Sequence, residues 1–229
     1  MTGGLRYDAV TAVALMVPGS GTPEGLKEPR ALAPCGGKPL VSWSLDALAQ
    51  LDVVRRVVVA LPARSDPPAG TVAVAARDDL VATVEDALAA AGSADIVILH
   101  DPCRPVLDGT LFARALSDLR EHRCDAVVAA EALTDTIKQV DREGRIAGTL
   151  PRGEVWQIQT PQVYRVDALR RALATARRRL DSAAGGPEGD ALLPACIEGR
   201  VRIVGVPRDS LYVRRPADLA VAELLLHRR

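Results

Sequence analysis

Short apolar runs alternate, along the first half of the chain, with stretches in which apolar residues recur at helical spacing. The runs are rich in β-branched residues, which favours buried strands, and the intervening stretches are typical of amphipathic helices. Strands are predicted at Ala12–Val17, Val53–Leu61, Thr71–Ala75, Asp95–Leu99 and Asp125–Ala130, and helices at Leu40–Leu51, Leu80–Ala91 and Thr110–His122. This alternation is typical of βαβ units, so the pattern predicts an α/β fold with a mainly parallel sheet flanked by helices.

The pattern changes after Leu133. Thr136–Val140, Arg145–Thr149 and Val155–Gln159 are short, alternate in polarity and are separated by turn residues. They indicate a protruding antiparallel β-arm over about residues 133–160, which could reach a second subunit. Beyond it, we predict a helix at Val166–Leu180, a flexible stretch at Ser182–Gly189, a strand at Val201–Val206 and a helix at Pro216–His227. Since no repeat or linker is evident, we expect a single domain over residues 1–229.

Composition and charge remove several classes of function. The chain has 29 basic and 29 acidic residues, so no net charge draws it to nucleic acid or to a membrane surface. Only 3% of residues are aromatic, too few for base-stacking platforms. No apolar stretch reaches membrane-spanning length and no signal peptide is evident, so we expect a cytoplasmic protein. The four cysteines are dispersed, which favours reduced, buried thiols over disulfides or a zinc site.

The first predicted strand ends in a glycine turn followed by a basic loop. The turn consists of Pro18, Gly19, Ser20 and Gly21. Its glycines let the backbone approach a ligand closely, and successive N–H groups there can bind an anion. Lys27 and Arg30 follow in the loop, as the phosphates of a nucleoside triphosphate would require. An ordinary strand-exit turn is the alternative, and neither the GxxxxGK[ST] nor the GxGxxG pattern fits.

Three further groups of polar residues could carry chemistry. Asp101 and Arg104 follow a buried strand, where a carboxylate could hold a ribose hydroxyl or a divalent ion; a simple Asx turn is the alternative. Thr136 lies in a polar cluster before the arm, where it could contact a phosphate or cap a turn. Arg152 could bind a phosphate in bidentate fashion, with the hydroxyl of Thr160 beside it.

Six motifs occur in an order and spacing that resembles the 2-C-methyl-D-erythritol 4-phosphate cytidylyltransferase family. They are PGSG, GGKPL, HDPCRP, LTDTIK, VWQIQTPQ and VRRPADLAVAE, and the resemblance runs from about Val13 to Leu226. The ribitol 5-phosphate cytidylyltransferases share most of them and remain an alternative. The resemblance implies a Rossmann-like sheet, a homodimer interlocked through the β-arm, and transfer of CMP from CTP to a sugar or polyol phosphate. It also implies Mg²⁺ or another divalent cation, held mainly by the CTP phosphates rather than by protein ligands.

The resemblance assigns a role to each candidate residue. The residues predicted to bind the nucleotide are Pro18, Gly19, Ser20, Gly21, Thr83 and Asp101. The residues predicted to bind the sugar or polyol phosphate are Asp101, Arg104, Thr136, Arg152 and Thr160. Catalysis is assigned to Arg30 and Arg152, and we add Lys27 from its position in the basic loop rather than from the resemblance. Arg30 would stabilise the transition state and Arg152 would position the substrate phosphate.

Several positions depart from the family pattern. Pro23 replaces the arginine of the family's glycine loop, and Tyr212 replaces a lysine shortly before the last helix. Arg30 stands where the family has lysine, and Arg77 stands where it has a glycine near the nucleotide. The candidates to restore the lost positive charge are Lys27, Lys38, Arg77 and Arg214, of which Lys27 is favoured because it lies in the same loop as Arg30.

These departures leave three functions open. The first is a cytidylyltransferase that acts on 2-C-methyl-D-erythritol 4-phosphate. The second is a degenerate paralogue that keeps the fold and dimer but has a binding or regulatory role. The third is a nucleotidyltransferase with a changed sugar or polyol phosphate substrate.

Overall fold

The computed structural model describes residues 12–16, 29–63, 65–107, 109–181 and 192–228. Within these ranges the strands are β1 (Ala12–Met16), β2 (Pro34–Cys35), β3 (Lys38–Pro39), β4 (Val54–Leu61), β5 (Val72–Ala75), β6 (Ile96–His100), β7 (Ala126–Ala132), β8 (Lys138–Val140), β9 (Ile146–Thr149), β10 (Trp156–Arg165) and β11 (Val201–Gly205). The helices are α1 (Leu40–Leu48), α2 (Leu80–Ala91), α3 (Gly109–Glu121), α4 (Val166–Asp181), α5 (Leu192–Ala195) and α6 (Pro216–Leu226). Most predicted elements are present, while the β2–β3 hairpin and α5 had no counterpart in the sequence pattern.

A seven-stranded sheet in the order β11-β7-β10-β6-β1-β4-β5 forms the centre of the described structure. In it, β10 is antiparallel to its neighbours β6 and β7, and the other pairs are parallel. The predicted α/β fold with a mainly parallel sheet is therefore confirmed. Because β10 runs in the opposite direction, its first half lies at the sheet edge where β1, β4 and β6 end.

Side chains of the central strands alternate between two apolar layers. In β4, Val59 and Leu61 pack with α1 and α3, whereas Val58 and Ala60 pack with α2 and α4 on the other face. All four side chains are almost fully buried. Helices on both faces explain why these strands read as continuous apolar runs rather than as alternating ones.

The β-arm is smaller than the sequence pattern indicated. The strands β8 and β9 form a separate antiparallel pair, as predicted. The third predicted arm strand, Val155–Gln159, was misplaced: its residues from Trp156 onward begin β10, which pairs with β7 in the main sheet. The prediction failed because a short alternating stretch reveals its two faces but not the strand with which it pairs.

The last helix packs away from the main sheet, against the β2–β3 hairpin. Ala222 and Leu226 of α6 join Cys35 and Leu40 in a small third apolar cluster. The backbone N–H of Gly36, at the hairpin turn, donates to a carboxylate oxygen of Glu223 over 2.8 Å. This contact ties the segment after Arg30 to the carboxyl-terminal part of the chain.

All four cysteines are free and buried, as the sequence predicted. Of the helices in the described ranges, none is both long and apolar enough to span a bilayer.

Candidate active site

A buried chain of hydrogen bonds holds the end of β6 against β10. The hydroxyl of Thr160 accepts from the backbone N–H of Asp101 over 3.1 Å and lies 3.1 Å from Nδ1 of His100. The other ring nitrogen of His100, Nε2, lies 3.0 Å from the hydroxyl of Ser44 in α1. The pairing of β10 with β7 shifts register between Ile158 and Gln162, and such bulges turn side chains out of the ladder. This shift leaves Thr160 directed at the end of β6.

His100 is neutral in the folded protein. Its side chain is fully buried, and burial, followed by the positive charge of Arg104, lowers its pKa from 6.5 to about 3. A neutral imidazole can donate through one nitrogen and accept through the other, so hydroxyl groups on both sides satisfy it. In the sequence, His100 appeared only as the first residue of the HDPCRP motif, with no role assigned to it.

Asp101 forms a turn and also faces the site. One carboxylate oxygen accepts from the backbone N–H of Cys103 over 2.8 Å, which is the Asx turn considered from the sequence. The carboxylate also lies near the phenol of Tyr212, whose pKa its charge helps to raise, and the Asp101 side chain is 8% exposed. Burial, then the Asp101 charge, raises the pKa of the Cys103 thiol, which therefore stays protonated.

Three arginines surround Tyr212 beside this carboxylate. Arg30 donates from Nη1 to the Tyr212 hydroxyl over 2.7 Å. The guanidinium carbons of Arg104 and Arg214 lie 4.8 and 5.2 Å from the centre of the Tyr212 ring, within the range of cation–π attraction. Burial, followed by the charge of Asp101, raises the pKa of Tyr212, so its hydroxyl remains a donor.

Next to this cluster is an open cavity of about 570 Å³. Its lining includes Arg104, Glu131, Gln159, Tyr212, Arg214 and Asp218. The carbonyl oxygen of the Gln159 side chain accepts from Arg104 over 2.9 Å and from Ser210 over 2.8 Å, and its amide donates to Glu131 over 3.2 Å. The cavity is therefore polar, with a cationic wall and a size suited to a small phosphorylated molecule.

Six of the predicted site residues fall into two groups. Arg30, Asp101, Arg104 and Thr160 lie together at the carboxyl ends of the strands, where open α/β sheets bind ligands. Thr136 and Arg152 are instead exposed at the base of the β-arm. Arg152 donates to the backbone carbonyl of Thr134 over 3.1 Å, in the short 3-10 turn Arg152–Glu154 between β9 and β10.

Thr83, predicted from the resemblance to bind the nucleotide, organises the turn that precedes α2. It is buried in the first turn of α2, where its hydroxyl accepts from the backbone N–H of Arg77 over 3.0 Å and donates to the carbonyl of Asp79 over 2.9 Å. The Arg77 guanidinium is exposed and pairs with Asp86 over 2.6 Å. In this structure the long side chain that replaces glycine is therefore drawn to α2.

Several candidates from the sequence lie outside the described residues. These are Pro18, Gly19, Ser20, Gly21, Pro23 and Lys27 of the first loop, together with the stretch Ser182–Gly189. The proposed roles of the glycine turn and of Lys27 stay predictions.

Comparisons with known proteins place these features in a family. A family model described as IspD, 2-C-methyl-D-erythritol 4-phosphate cytidylyltransferase, matches residues 11–228. The chain belongs to this family. A 2-C-methyl-D-erythritol 4-phosphate cytidylyltransferase of Rhodococcus jostii (strain RHA1) is 35% identical over 228 residues, which cover 96% of this chain and 97% of the relative. One of Nocardia farcinica (strain IFM 10152) is 35% identical over 231 residues, 95% of each chain.

Solved structures of cytidylyltransferases share the architecture. The enzyme of that name from Thermus thermophilus superimposes with a TM-score of 0.73 at 28% identity, covering 94% of this chain and 98% of the other. A 4-diphosphocytidyl-2C-methyl-D-erythritol synthase from Anaerococcus prevotii has a TM-score of 0.75 at 19% identity and covers 95% of this chain and 98% of the other, which shows a shared fold. The family membership and the Rossmann-like fold that the sequence motifs implied are thus confirmed.

Proposed function

We propose that this protein transfers the CMP group of CTP to 2-C-methyl-D-erythritol 4-phosphate and releases pyrophosphate, a step in the formation of isoprenoid precursors. The observation that carries the proposal is the family match over residues 11–228. The curated relatives named above carry this activity in their names. No finding favours a degenerate paralogue or a changed substrate over this activity.

The reaction is an in-line displacement at phosphorus. A phosphate oxygen of the substrate attacks the α-phosphorus of CTP and forms a new P–O bond. The bond between the α-phosphorus and the oxygen that bridges to the β-phosphorus breaks, and pyrophosphate leaves with that electron pair. No covalent bond to the enzyme forms, so catalysis comes from positioning two anions and stabilising charge on the transferring phosphoryl group.

The arginines around Tyr212 supply the positive charge for this step. Arg30 is the residue we assign to the transition state, because its guanidinium is held by the Tyr212 hydroxyl and its buried Nε has no hydrogen-bond partner among the described residues. Arg104 is buried and lines the cavity, where it contacts the substrate phosphate. Thr160 acts through the backbone of Asp101, since its hydroxyl is already engaged by the N–H of that residue.

The β-arm joins two copies of the chain in our proposal. Val140 and Ile146 on the arm are 57% and 67% exposed, and apolar side chains at that exposure are suited to a partner surface. Thr136 and Arg152 lie exposed at the arm base, from which they would reach the substrate phosphate in the partner's site. Each active site of the homodimer would therefore use residues of both subunits within the single domain that we assign to residues 1–229.

A divalent cation, Mg²⁺ in our proposal, is compatible with the residues present. In the described part of the chain no group of three or more His, Cys, Asp or Glu side chains could hold a metal ion. Mg²⁺ commonly binds through one carboxylate, substrate phosphates and water, and Asp101 supplies a carboxylate at this strand end. When bound, the ion would neutralise charge on the phosphates.

The proposed location is the cytoplasm. The four cysteines are free and buried, which suits a reducing compartment.

Pyrophosphate release tests the proposal. Purified protein would be given CTP, Mg²⁺ and 2-C-methyl-D-erythritol 4-phosphate, with ribitol 5-phosphate and the other three nucleotides in parallel. We expect release with the first pair, and Arg30→Met should lower kcat about 100- to 1,000-fold, as the loss of a transition-state contact does. Arg171→Gln is the matched control, because Arg171 pairs with Asp167 on the exposed face of α4 over 3.1 Å.

Two outcomes would contradict the proposal. Release only with ribitol 5-phosphate or with another nucleotide would refute the assigned substrate pair. No release with any pair, from protein that is folded and dimeric, would refute the cytidylyltransferase activity itself.

A further inference from the structure

Tyr212 occupies the centre of the cationic wall, although it carries no charge. Its hydroxyl accepts a hydrogen bond from Arg30 over 2.7 Å and lies near the carboxylate of Asp101. Its ring lies against the guanidinium groups of Arg104 and Arg214. From the resemblance to the family, Tyr212 was identified only as a position where a lysine is replaced.

Three guanidinium groups around one side chain repel one another unless something offsets the repulsion. An aromatic ring attracts cations through its electron-rich face, and a phenol oxygen accepts a charge-assisted hydrogen bond at its edge. Tyr212 offers both, to Arg104 and Arg214 at the ring and to Arg30 at the hydroxyl. An ammonium group at this position would add repulsion instead.

The contact with Tyr212 also fixes which groups of Arg30 remain for a ligand. Nη1 is committed to the Tyr212 hydroxyl. Nε of the same guanidinium is buried and has no hydrogen-bond partner among the described residues. A buried donor without a partner is costly, and a phosphate oxygen would satisfy it. The guanidinium group of Arg30 is thus oriented through Nη1, and its Nε can donate to an anion.

We propose that Tyr212 is a positioning residue that aligns Arg30, with Arg104 and Arg214, into one cationic wall for the substrate phosphate and the pyrophosphate that leaves. This inference rests on the proposed function, because it names the residue that directs the assigned transition-state arginine. On this proposal the arginines supply the positive charge that the lysine provides in the family pattern. The neutral phenol of Tyr212 orients them.

A double-mutant cycle on Tyr212 and Arg30 tests the proposal. Tyr212→Phe keeps the ring and removes the hydroxyl, so we expect kcat to fall about 10-fold or more, the effect of losing a hydrogen bond to a charged group. KM for CTP should change much less than kcat. In an Arg30→Met background, Tyr212→Phe should have no further effect, because the group that it positions is already gone.

Tyr212→Lys separates positioning from charge. We expect its kcat to lie below that of the wild-type protein, since the ammonium group repels the arginines and cannot accept the hydrogen bond from Arg30. A kcat at or above the wild-type value would overturn the proposal, as would additive effects of Tyr212→Phe and Arg30→Met. The melting temperature of each variant shows whether the fold is intact.

Calorimetric titration with inorganic pyrophosphate repeats the cycle without catalysis. Tyr212→Phe should weaken pyrophosphate binding in the wild-type background and leave it unchanged in the Arg30→Met background. If the wild-type protein releases no pyrophosphate from any substrate pair, the proposed function fails, while this coupling still decides the role of Tyr212. Additive effects on binding, or no binding by the wild-type protein, would overturn the inference.

Discussion

Replacing Thr160 by valine should destabilise the protein although the two side chains have nearly the same shape. The Thr160 hydroxyl is 3.1 Å from both the backbone nitrogen of Asp101 and Nδ1 of His100. Thr160 is 2% exposed and His100 is fully buried, so water cannot replace the lost hydroxyl. Each buried polar group left without its partner costs about 1–3 kcal/mol, which gives a loss of about 3 kcal/mol for the pair.

Urea denaturation followed by circular dichroism measures this loss. For a chain of this size the same change lowers the melting temperature by about 6–12 °C. Thr160→Ser keeps the hydroxyl and should cost only about 1 kcal/mol, the value of one buried methyl group. Thr175→Val is the matched control: the Thr175 hydroxyl accepts from Arg178 over 2.9 Å at the surface of α4, so its loss should stay within about 0.5 kcal/mol.

The result that would refute the reasoning is specific. If Thr160→Val unfolds within about 0.5 kcal/mol of the wild-type protein, the hydroxyl does not hold the end of β6. If Thr160→Ser is as damaging as Thr160→Val, the methyl group and not the hydroxyl carries the effect.

Three further predictions concern pH, the arm and a hairpin turn. Burial lowers the pKa of His100 to about 3, so as the pH falls below about 6.5 the imidazole is protonated in the unfolded state before it is in the folded state, and the free energy of unfolding decreases. Between pH 6.5 and pH 5 this decrease should be about 2 kcal/mol. Urea denaturation of His100→Gln over the same pH range should not show it. Ile146→Asp should shift the proposed dimer toward monomer in light scattering, while Leu224→Asp, equally exposed on α6, should not; equal effects of the two would count against an arm interface. Gly36→Ala should cost more stability than Gly70→Ala by thermal denaturation: both have positive φ, but only the first places a methyl group 2.9 Å from a tryptophan ring. Equal losses would show that the ring moves freely.

The site was only partly predictable. Asp101, Arg104 and Thr160 were found because they sit in motifs, and the structure brings them to one sheet edge. His100 and Tyr212 were missed as contributors, since a histidine ending a strand and a tyrosine in place of a lysine give no local sign of what they touch. The sequence nevertheless contained a signal for Tyr212. Tyr212 replaces a lysine of the family pattern, and two other positions that depart from that pattern, Arg30 and Arg77, are arginines.

The sequence by itself determined the fold class and the family. Apolar periodicity is a local property that reports which side chains are buried, so it located most strands and helices and the mainly parallel sheet. It could not show that Trp156–Arg165 enters the sheet between β6 and β7, because register and partner depend on the other strands.

Only the tertiary structure decided how the site is assembled. Ser44, His100 and Thr160 meet through one chain of hydrogen bonds, and Arg30 meets Tyr212, although each contact joins residues far apart in sequence. Such contacts arise from the order of the strands and the reversed direction of β10, which place distant segments at the same edge. The physical reason is that burial follows local pattern, whereas the choice of partner for a polar side chain depends on every element that packs around it.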